Sequence, residues 1–391
     1  MEEAERDLAR LIPHLVAVWR NLRPRGRPGG PRIPDRLSRE EMGEVVRGVE
    51  RLSGGLTRER ALAGAPYLDD PRLLGAYLLF YFPLSYLQGR GVFSELGRRP
   101  GAVLDLGSGP GPLAFAALDA GARQVLSADR SARALSAARA IAAASGEPLA
   151  TEALDLSRPG ALRRLAGAHR FDTVALGHLV NELFAGEGAA EKRAALLEEA
   201  AALLVPGGSL VVVEPALRET SRALLEVRDR LVARGYAVRA PCLYRGPCPA
   251  RLRATDWCHA ERPIEPPPLV AEIARAASLH KEAVKMSYLV LAPPGEGWAS
   301  PPEGRVFRIV SEPIPSKGRL RYMGCGPEGR MGLALQEKHV AEGNRAFTSL
   351  MRGDLVGLEG AEPSGEGLKL GEGSRVTLLA RAGDPAPAPR P

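Results

Sequence analysis

The chain reads as an α/β protein built on a doubly wound, Rossmann-like parallel sheet, and three observations carry that reading. From Ala102 onward, short apolar runs (AVLDL, QVLSAD, LATEALD, FDTVALG, SLVVVEP) alternate with Ala-rich helical stretches such as ARALSAARAIAAA. Such alternation belongs to βαβ units, because parallel neighbours need a crossover between them. The run VLDLG also passes straight into SGPGPLA, a glycine loop between a predicted strand and a predicted helix. After APPGEGWASPPEG the pattern changes to short strand-like runs separated by Gly, which predicts a small β-barrel-like module.

In chain order, residues 1–95 are predicted as an N-terminal helical region. Apolar positions recur there at helix spacing in LARLIPHLVAVW and from Pro71 to Leu87. Residues 96–295 form the α/β domain, with a Cys-rich insertion at 241–268 and a late strand, SYLVLA. The β module spans 303–383, and the Pro-rich end, 384–391, is predicted to be disordered.

A length of 391 residues predicts two or three domains. With 45% hydrophobic and 25% charged residues the chain can bury a core, which excludes disorder throughout. No run reaches the roughly 18 apolar residues of a membrane helix, and the start, MEEAERDLAR, is acidic where a signal peptide is basic. Both features predict a cytoplasmic protein with no membrane partner, and a monomer is favoured. Of 53 basic residues, 47 are Arg and 6 Lys. A GC-rich genome accounts for most of that bias. A cluster (Arg20, Arg23, Arg25, Arg27, Arg32, Arg36, Arg39) stands out in a Pro- and Gly-rich stretch; it reads either as an RNA-contacting loop or as a solvated linker.

At the end of the first strand lie Asp105, Gly107, Ser108, Gly109 and Gly111. A loop that turns into a helix while its backbone passes close to a ligand requires residues without a Cβ. Asp129 ends the next strand, where a carboxylate can accept both hydroxyl hydrogens of a ribose, and Asp155 and Leu156 follow the third strand. An NAD-type or ligand-free Rossmann fold is the alternative. The fourth strand ends in GHLVNELF, offering His178, Asn181 and Glu182 as catalytic candidates. His178 or Glu182 is the candidate base for an acceptor that must lose a proton. The alternative is an ordinary helix start, since the segment carries neither an NPPY-type motif nor a Pro-Cys nucleophile.

All four cysteines, Cys242, Cys248, Cys258 and Cys325, sit beside Pro, Gly or Trp in loop-like segments, as metal ligands do when the backbone wraps an ion or cluster. An intracellular compartment argues against disulfides. Structural zinc usually takes close CxxC pairs, which are lacking here. Wider loops suit a 4Fe-4S cluster, with zinc as the alternative. His259 reads as a neighbour rather than a ligand.

The glycine loop with Asp105, and PGGSLVVVEP, resemble motifs of class I S-adenosylmethionine (SAM)-dependent methyltransferases. LDLGSGPG, PCLYRGPCP through DWCHAERP, SYLVL, GCGPEG and RGDLVGL together resemble the methyltransferase-like small-ribosomal-subunit assembly family over roughly residues 75–360. Arg352 departs from the aromatic expected before Gly353. The resemblance implies SAM at the glycine loop: Asp105 and the glycines on the methionine part, Asp129 on the ribose, Asp155 and Leu156 at the adenine edge. It also implies a 4Fe-4S cluster on the four cysteines and binding to small-subunit rRNA and its assembly intermediates. Cys325 is then expected to staple the β module to the methyltransferase-like domain. Two functions follow, an assembly factor with little or no catalysis or an rRNA methyltransferase; a zinc-stapled small-molecule methyltransferase is the third.

Overall fold

The computed structural model describes all residues except 24–33, 159, 167–169, 299–302 and 385–391. Arg25, Arg27, Arg32 and nearly all of the predicted disordered tail lie outside the described residues. Two compact units emerge: Met1–Phe93 with Arg99–Glu214 and Pro263–Val284, and Ser94–Arg98 with Pro215–Arg262 and Lys285–Pro391.

The first unit opens with α1 (Glu2–Leu22), which buries Leu8, Leu11, Ile12, Leu15 and Trp19 at helix spacing and carries Glu2, Glu3 and Glu5 in its first turn. Helix α2 (Arg39–Ser53) starts with a capping box. The Glu41 amide donates to Ser38 Oγ (3.2 Å) and the Ser38 amide to Glu41 Oε2 (2.8 Å), an arrangement worth about 1 kcal/mol. Helix α3 (Pro71–Ala76) is capped by Asp70, which accepts from the Arg72 amide, with Pro71 in the first turn. At Gly48 of α2 a Cβ would lie 2.5 Å from Ala76 Cβ, so glycine lets α2 and α3 pack backbone to backbone. A π-helical turn (Tyr77–Tyr81) leads into α4 (Phe82–Ser94), buried almost along its whole length.

The parallel sheet follows: β1 (Ala102–Leu106), α5 (Pro112–Asp119), β2 (Gln124–Asp129), α6 (Ala132–Ser145), β3 (Leu149–Ala153), α7 (Arg163–Ala166), β4 (Phe171–Gly177), α8 (Ala189–Ala201) and β5 (Leu204–Pro215). Strand order is β3-β2-β1-β4-β5, all parallel. That reversal of direction at β1 is the switch point where doubly wound sheets bind ligands at their carboxyl ends.

The second unit contains α9 (Arg218–Ala233), β6 (Ala237–Ala240) and β7 (Ala260–Pro263); the chain then returns to the first unit for α10 (Pro268–Ala276) before β8 (Ala283–Ala292). β6 and β7 both pair with β8, β6 antiparallel to it. Five parallel strands in this order, then an antiparallel pair, are the class I methyltransferase pattern. The C-terminal module is not the predicted barrel. Its strands, β9 (Arg305–Ile309), β10 (Ile314–Ser316), β11 (Arg319–Gly326), β12 (Gly329–Gln336), β13 (Leu355–Glu359), β14 (Glu362–Ser364), β15 (Gly367–Leu370) and β16 (Arg375–Ala380), form an open sheet ordered β14-β15-β12-β11-β9-β13-β16. The end strands β14 and β16 do not pair, so the sheet stays open. Phe307, Ile309, Tyr322, Leu333, Leu335 and Phe347 build a core of its own on one face, and that core, rather than closure, buries its apolar side chains.

Among the described residues no helix is long and apolar enough to cross a membrane.

Candidate functional site

The glycine loop after β1 takes the conformation its sequence calls for. Gly107, Gly109 and Gly111 have φ of +66°, +54° and +90°, the left-handed region that side chains resist. Asp129, at the end of β2, fixes the loop. Its Oδ2 accepts from the Gly109 amide (2.8 Å) and its Oδ1 from the Ser131 amide (2.7 Å). Burial raises the Asp129 carboxyl above its ordinary range, opposed by those two amide bonds.

Around this loop lies a pocket partly open to solvent. Of the residues singled out in the sequence, Gly107, Gly109, Asp129, Asp155, Leu156, His178 and Glu182 line it. Asp155 is held by Ser157, whose hydroxyl donates to Asp155 Oδ1 at 2.6 Å, and this bond lowers its carboxyl. Asp105, Ser108, Gly111 and Asn181 do not line it. Asp105 is 1% exposed and accepts from the Ala114 amide at 3.1 Å; burial pushes it up to about 8, so it buttresses the loop from beneath. Asn181 Nδ2 donates to Glu214 Oε2 at 2.5 Å, and its Oδ1 accepts from Arg60 at 2.7 Å. Both polar ends of Asn181 are thereby tied up.

The three catalytic candidates therefore separate. His178 Nε2 is 2.7 Å from Gln88 Oε1, and burial lowers the ring to about 4, so it is neutral at physiological pH. Glu182 faces the pocket and accepts from the Gly64 amide at 3.2 Å. Burial lifts its carboxyl to about 7, against the pull of that amide, Arg130 and Arg60. A carboxyl titrating near neutrality at a pocket wall can exchange a proton with a bound group.

A further wall comes from far upstream in the chain. Tyr67, Leu68, Asp69 and Tyr77 line the same pocket. Ser131 Oγ donates to Asp69 Oδ1 (2.6 Å), Arg130 donates to the Gly64 carbonyl (2.8 Å), and Arg60 reaches Asn181. Residues 60–69 thus grip both sides of the pocket. Sequence reasoning missed them, since nothing local in APYLDD announces a ligand; the one available signal is the aromatic pair Tyr67 and Tyr77 in an otherwise aromatic-poor chain.

All four cysteines lie in the second unit, so the expected staple between two domains falls inside one unit. Cys242, Cys248, Cys258 and Cys325 are free and partly buried. Burial pushes Cys248 up to about 12 and Cys258 up to about 11, and raises Cys325 further; in each case the second cause is the neighbouring Cys242. Each of these three thiols is thus raised by burial first and by Cys242 second. Cys325, on β11, sits in register between Arg308 and Arg330 on the flanking strands. Arg228, Arg308, Arg330 and Arg352 pull the thiols back down.

Two arginines of α9 shape the cysteine loops. Arg222 donates to the carbonyls of Ala250 (3.1 Å), Arg253 (2.8 Å) and Asp256 (2.6 Å). Arg228, 1% exposed, donates to the carbonyls of Tyr244 and Gly246 (2.5 Å each) and to Asp229 (2.7 Å). Asp229 in turn accepts from the Cys248 amide at 3.0 Å. Among the described residues no group of three or more His, Cys, Asp or Glu is arranged to hold a metal ion. Buried N–H groups nonetheless stand unpartnered here: Arg228 Nε, Arg308 Nε, Arg330 Nε, and the His259 Nδ1 position. Thiols that influence one another, buried guanidiniums and spare donors suit an anionic group at this place.

The model of the family described as mitochondrial small ribosomal subunit Rsm22 matches residues 77–356. Among solved structures the chain is similar to the ribosomal protein L11 methylase from Lactobacillus delbrueckii subsp. bulgaricus, at 16% identity over 54% of this chain and 77% of that one (TM-score 0.33). A putative RNA methyltransferase from Pyrococcus horikoshii matches at 15% identity over 54% and 84% (TM-score 0.34). Magnesium protoporphyrin IX methyltransferase from Synechocystis, solved with SAM bound, matches at 15% over 64% and 97% (TM-score 0.34). No curated protein matches.

Proposed function

The chain belongs to the Rsm22 family, and from that premise we propose that it is a SAM-binding, methyltransferase-like protein that acts on the small ribosomal subunit as an assembly factor. The observation that carries the SAM half of the reading is the pocket: a left-handed glycine loop, the Asp129 carboxylate and the Asp155–Leu156 segment converge at the carboxyl ends of β1, β2 and β3. The ribosomal half rests on the family. Gly107 and Gly109 would take the methionine part, Asp129 the ribose hydroxyls, and Asp155 with Leu156 the adenine edge. Asp105 would act through the loop it supports.

The cysteine region would hold a 4Fe-4S cluster on Cys242, Cys248, Cys258 and Cys325. The mutual influence of the thiols, the arginines around them and the spare buried donors support that assignment. Such a cluster supplies electron transfer or structural cross-linking. The chain's own residues provide the thiolates, with Arg228, Arg308 and Arg330 balancing their charge.

Glu182 favours a second reading, an active rRNA methyltransferase. SAM supplies an electrophilic methyl group on a sulfonium. An acceptor N–H or O–H beside Glu182 would form its bond to that methyl, the sulfur–methyl bond would break, and the displaced proton would pass to the Glu182 carboxylate. Deleting the gene and mapping small-subunit rRNA methylation separates the two readings. Immature small subunits with every methyl mark intact are expected for the assembly factor; one missing mark establishes the enzyme. Failure to bind rRNA, with zinc in place of iron, would overturn both in favour of a small-molecule methyltransferase.

A further inference from the structure

Away from the pocket, the first unit carries a groove between α2, α3 and the end of α1. Arg23, Arg47, Arg51 and Arg72 form its walls, and Gly48 and Leu73 its floor; Glu44 is the one carboxylate in the lining. That carboxylate is already engaged, since Arg23 Nη2 lies 2.8 Å from Glu44 Oε2. Arg23 also stacks over the Trp19 ring at 5.0 Å. The other three cations are poorly compensated. Arg51 has only Asp70, at 3.6 Å, with both side chains largely open to solvent. Arg47 and Arg72 are exposed and have no ion pair among the described residues.

The helix geometry makes this arrangement costly without a ligand. Arg47 and Arg51 stand one turn apart on α2, about 6 Å along the axis, and like charges at that spacing destabilise a helix by a few tenths of a kcal/mol. Gly48, lying between them, lets α3 approach so closely that Arg72 joins them from the opposite wall. Three guanidiniums held on two walls of one groove match a run of phosphates, each able to accept two parallel N–H bonds from an arginine. None of the exposed large apolar side chains among the described residues (Met1, Leu252, Trp257, Met351) lies in the groove, so it lacks the apolar face of a lipid-binding surface.

We infer that this groove binds an RNA backbone, with Arg47, Arg51 and Arg72 as phosphate contacts. That the polyanion is RNA rests on the small-subunit reading above. Phosphate contacts of this kind position a protein without reading sequence.

The test is the triple variant R47Q/R51Q/R72Q, compared with R123Q/R133Q/R139Q, which removes the same charge from exposed positions elsewhere in the first unit. Binding of the full-length proteins to a small-subunit rRNA fragment is measured from 50 to 300 mM salt, with SAM binding and the thermal melt as checks on folding. The groove variant is expected to bind at least about tenfold more weakly, with a salt dependence shallower by about 2 in log–log slope. The control variant should change little. Equal weakening of both variants, or an unchanged slope in the groove variant while the wild type binds, overturns the groove and leaves the ribosomal reading standing. A wild type that binds no rRNA at any salt overturns that reading itself.

Discussion

The pocket of the first unit and the cysteine region of the second are assembled in opposite ways. At the pocket, side chains hold backbone that the sheet has already delivered: Asp129 accepts two amides from the turns at the ends of β1 and β2, within about two dozen residues. At the cysteines, the backbone has little regular structure of its own. Arg222 and Arg228 of α9 gather its carbonyls from positions up to 34 residues away, and Cys325 arrives from the far module. A site of the first kind persists with or without its ligand. One of the second kind depends on a few long side chains and on whatever neutralises the thiols.

The sharpest way to break that contrast is Cys258→Ser. On the proposed cluster assignment, removing one thiol is expected to drop the iron content of anaerobically purified protein from about four per chain to well below one, while SAM affinity stays within about twofold. Full iron content in this variant would dismiss Cys258 as a ligand. Next in size is Arg228→Met. It strips a buried donor from two carbonyls, while Asp229 keeps Arg251 (2.9 Å) and the Cys248 amide, and should cost about 3 kcal/mol. Limited proteolysis should then cut between residues 241 and 258, and a resistant loop would show that α9 does not hold it.

On the pocket side, Gly109→Val is expected to weaken SAM binding at least about 100-fold, roughly 3 kcal/mol, with iron content unchanged. The position needs a φ of +54°, and its Cβ would lie 3.1 Å from Leu68 Cδ1. Unaltered affinity by calorimetry would put the ligand elsewhere. The smallest effect belongs to Glu182→Gln. A carboxyl lifted from its ordinary 4.5 to about 7 binds more protons in the folded state than in the unfolded one. Its contribution to stability is therefore complete below about pH 4.5 and is lost as pH rises through 7. The glutamine variant should lack that slope and melt as though about 1–2 kcal/mol more stable than wild type at pH 8. Parallel pH profiles would place Glu182 in a wetter setting. In an active enzyme the same substitution should also remove the rise of rate with pH near neutrality.

The contrast explains what could be read from the sequence. The glycine loop, Asp129 and Asp155 were legible because each sits at a fixed offset from a strand end, and the parallel sheet obliges those ends to converge. The four cysteines were read as loop residues, but Cys325 lies on β11, and their grouping in one unit was not legible, because the register of β11 against β9 and β12 is a tertiary choice. The barrel expectation failed for a related reason: short Gly-separated strands specify a twisted sheet, while closure depends on whether β14 and β16 meet. Asn181 looked like a pocket residue from its position after β4, and His178, which does line the pocket, looked like a base. Their partners, Glu214, Arg60 and Gln88, lie 33, 121 and 90 residues away, beyond the reach of any local pattern. Residues 60–69 were hidden in the same way.

Those residues have a kinetic consequence. Residues 65–69 line the pocket, and hydrogen bonds tie residues 60–69 to Ser131, Arg130 and Asn181, so any opening of that wall has to break three contacts together. Stopped-flow binding should reach a plateau rate at high SAM, set by that opening; a rate that climbs in proportion to concentration throughout would mean the segment stands aside.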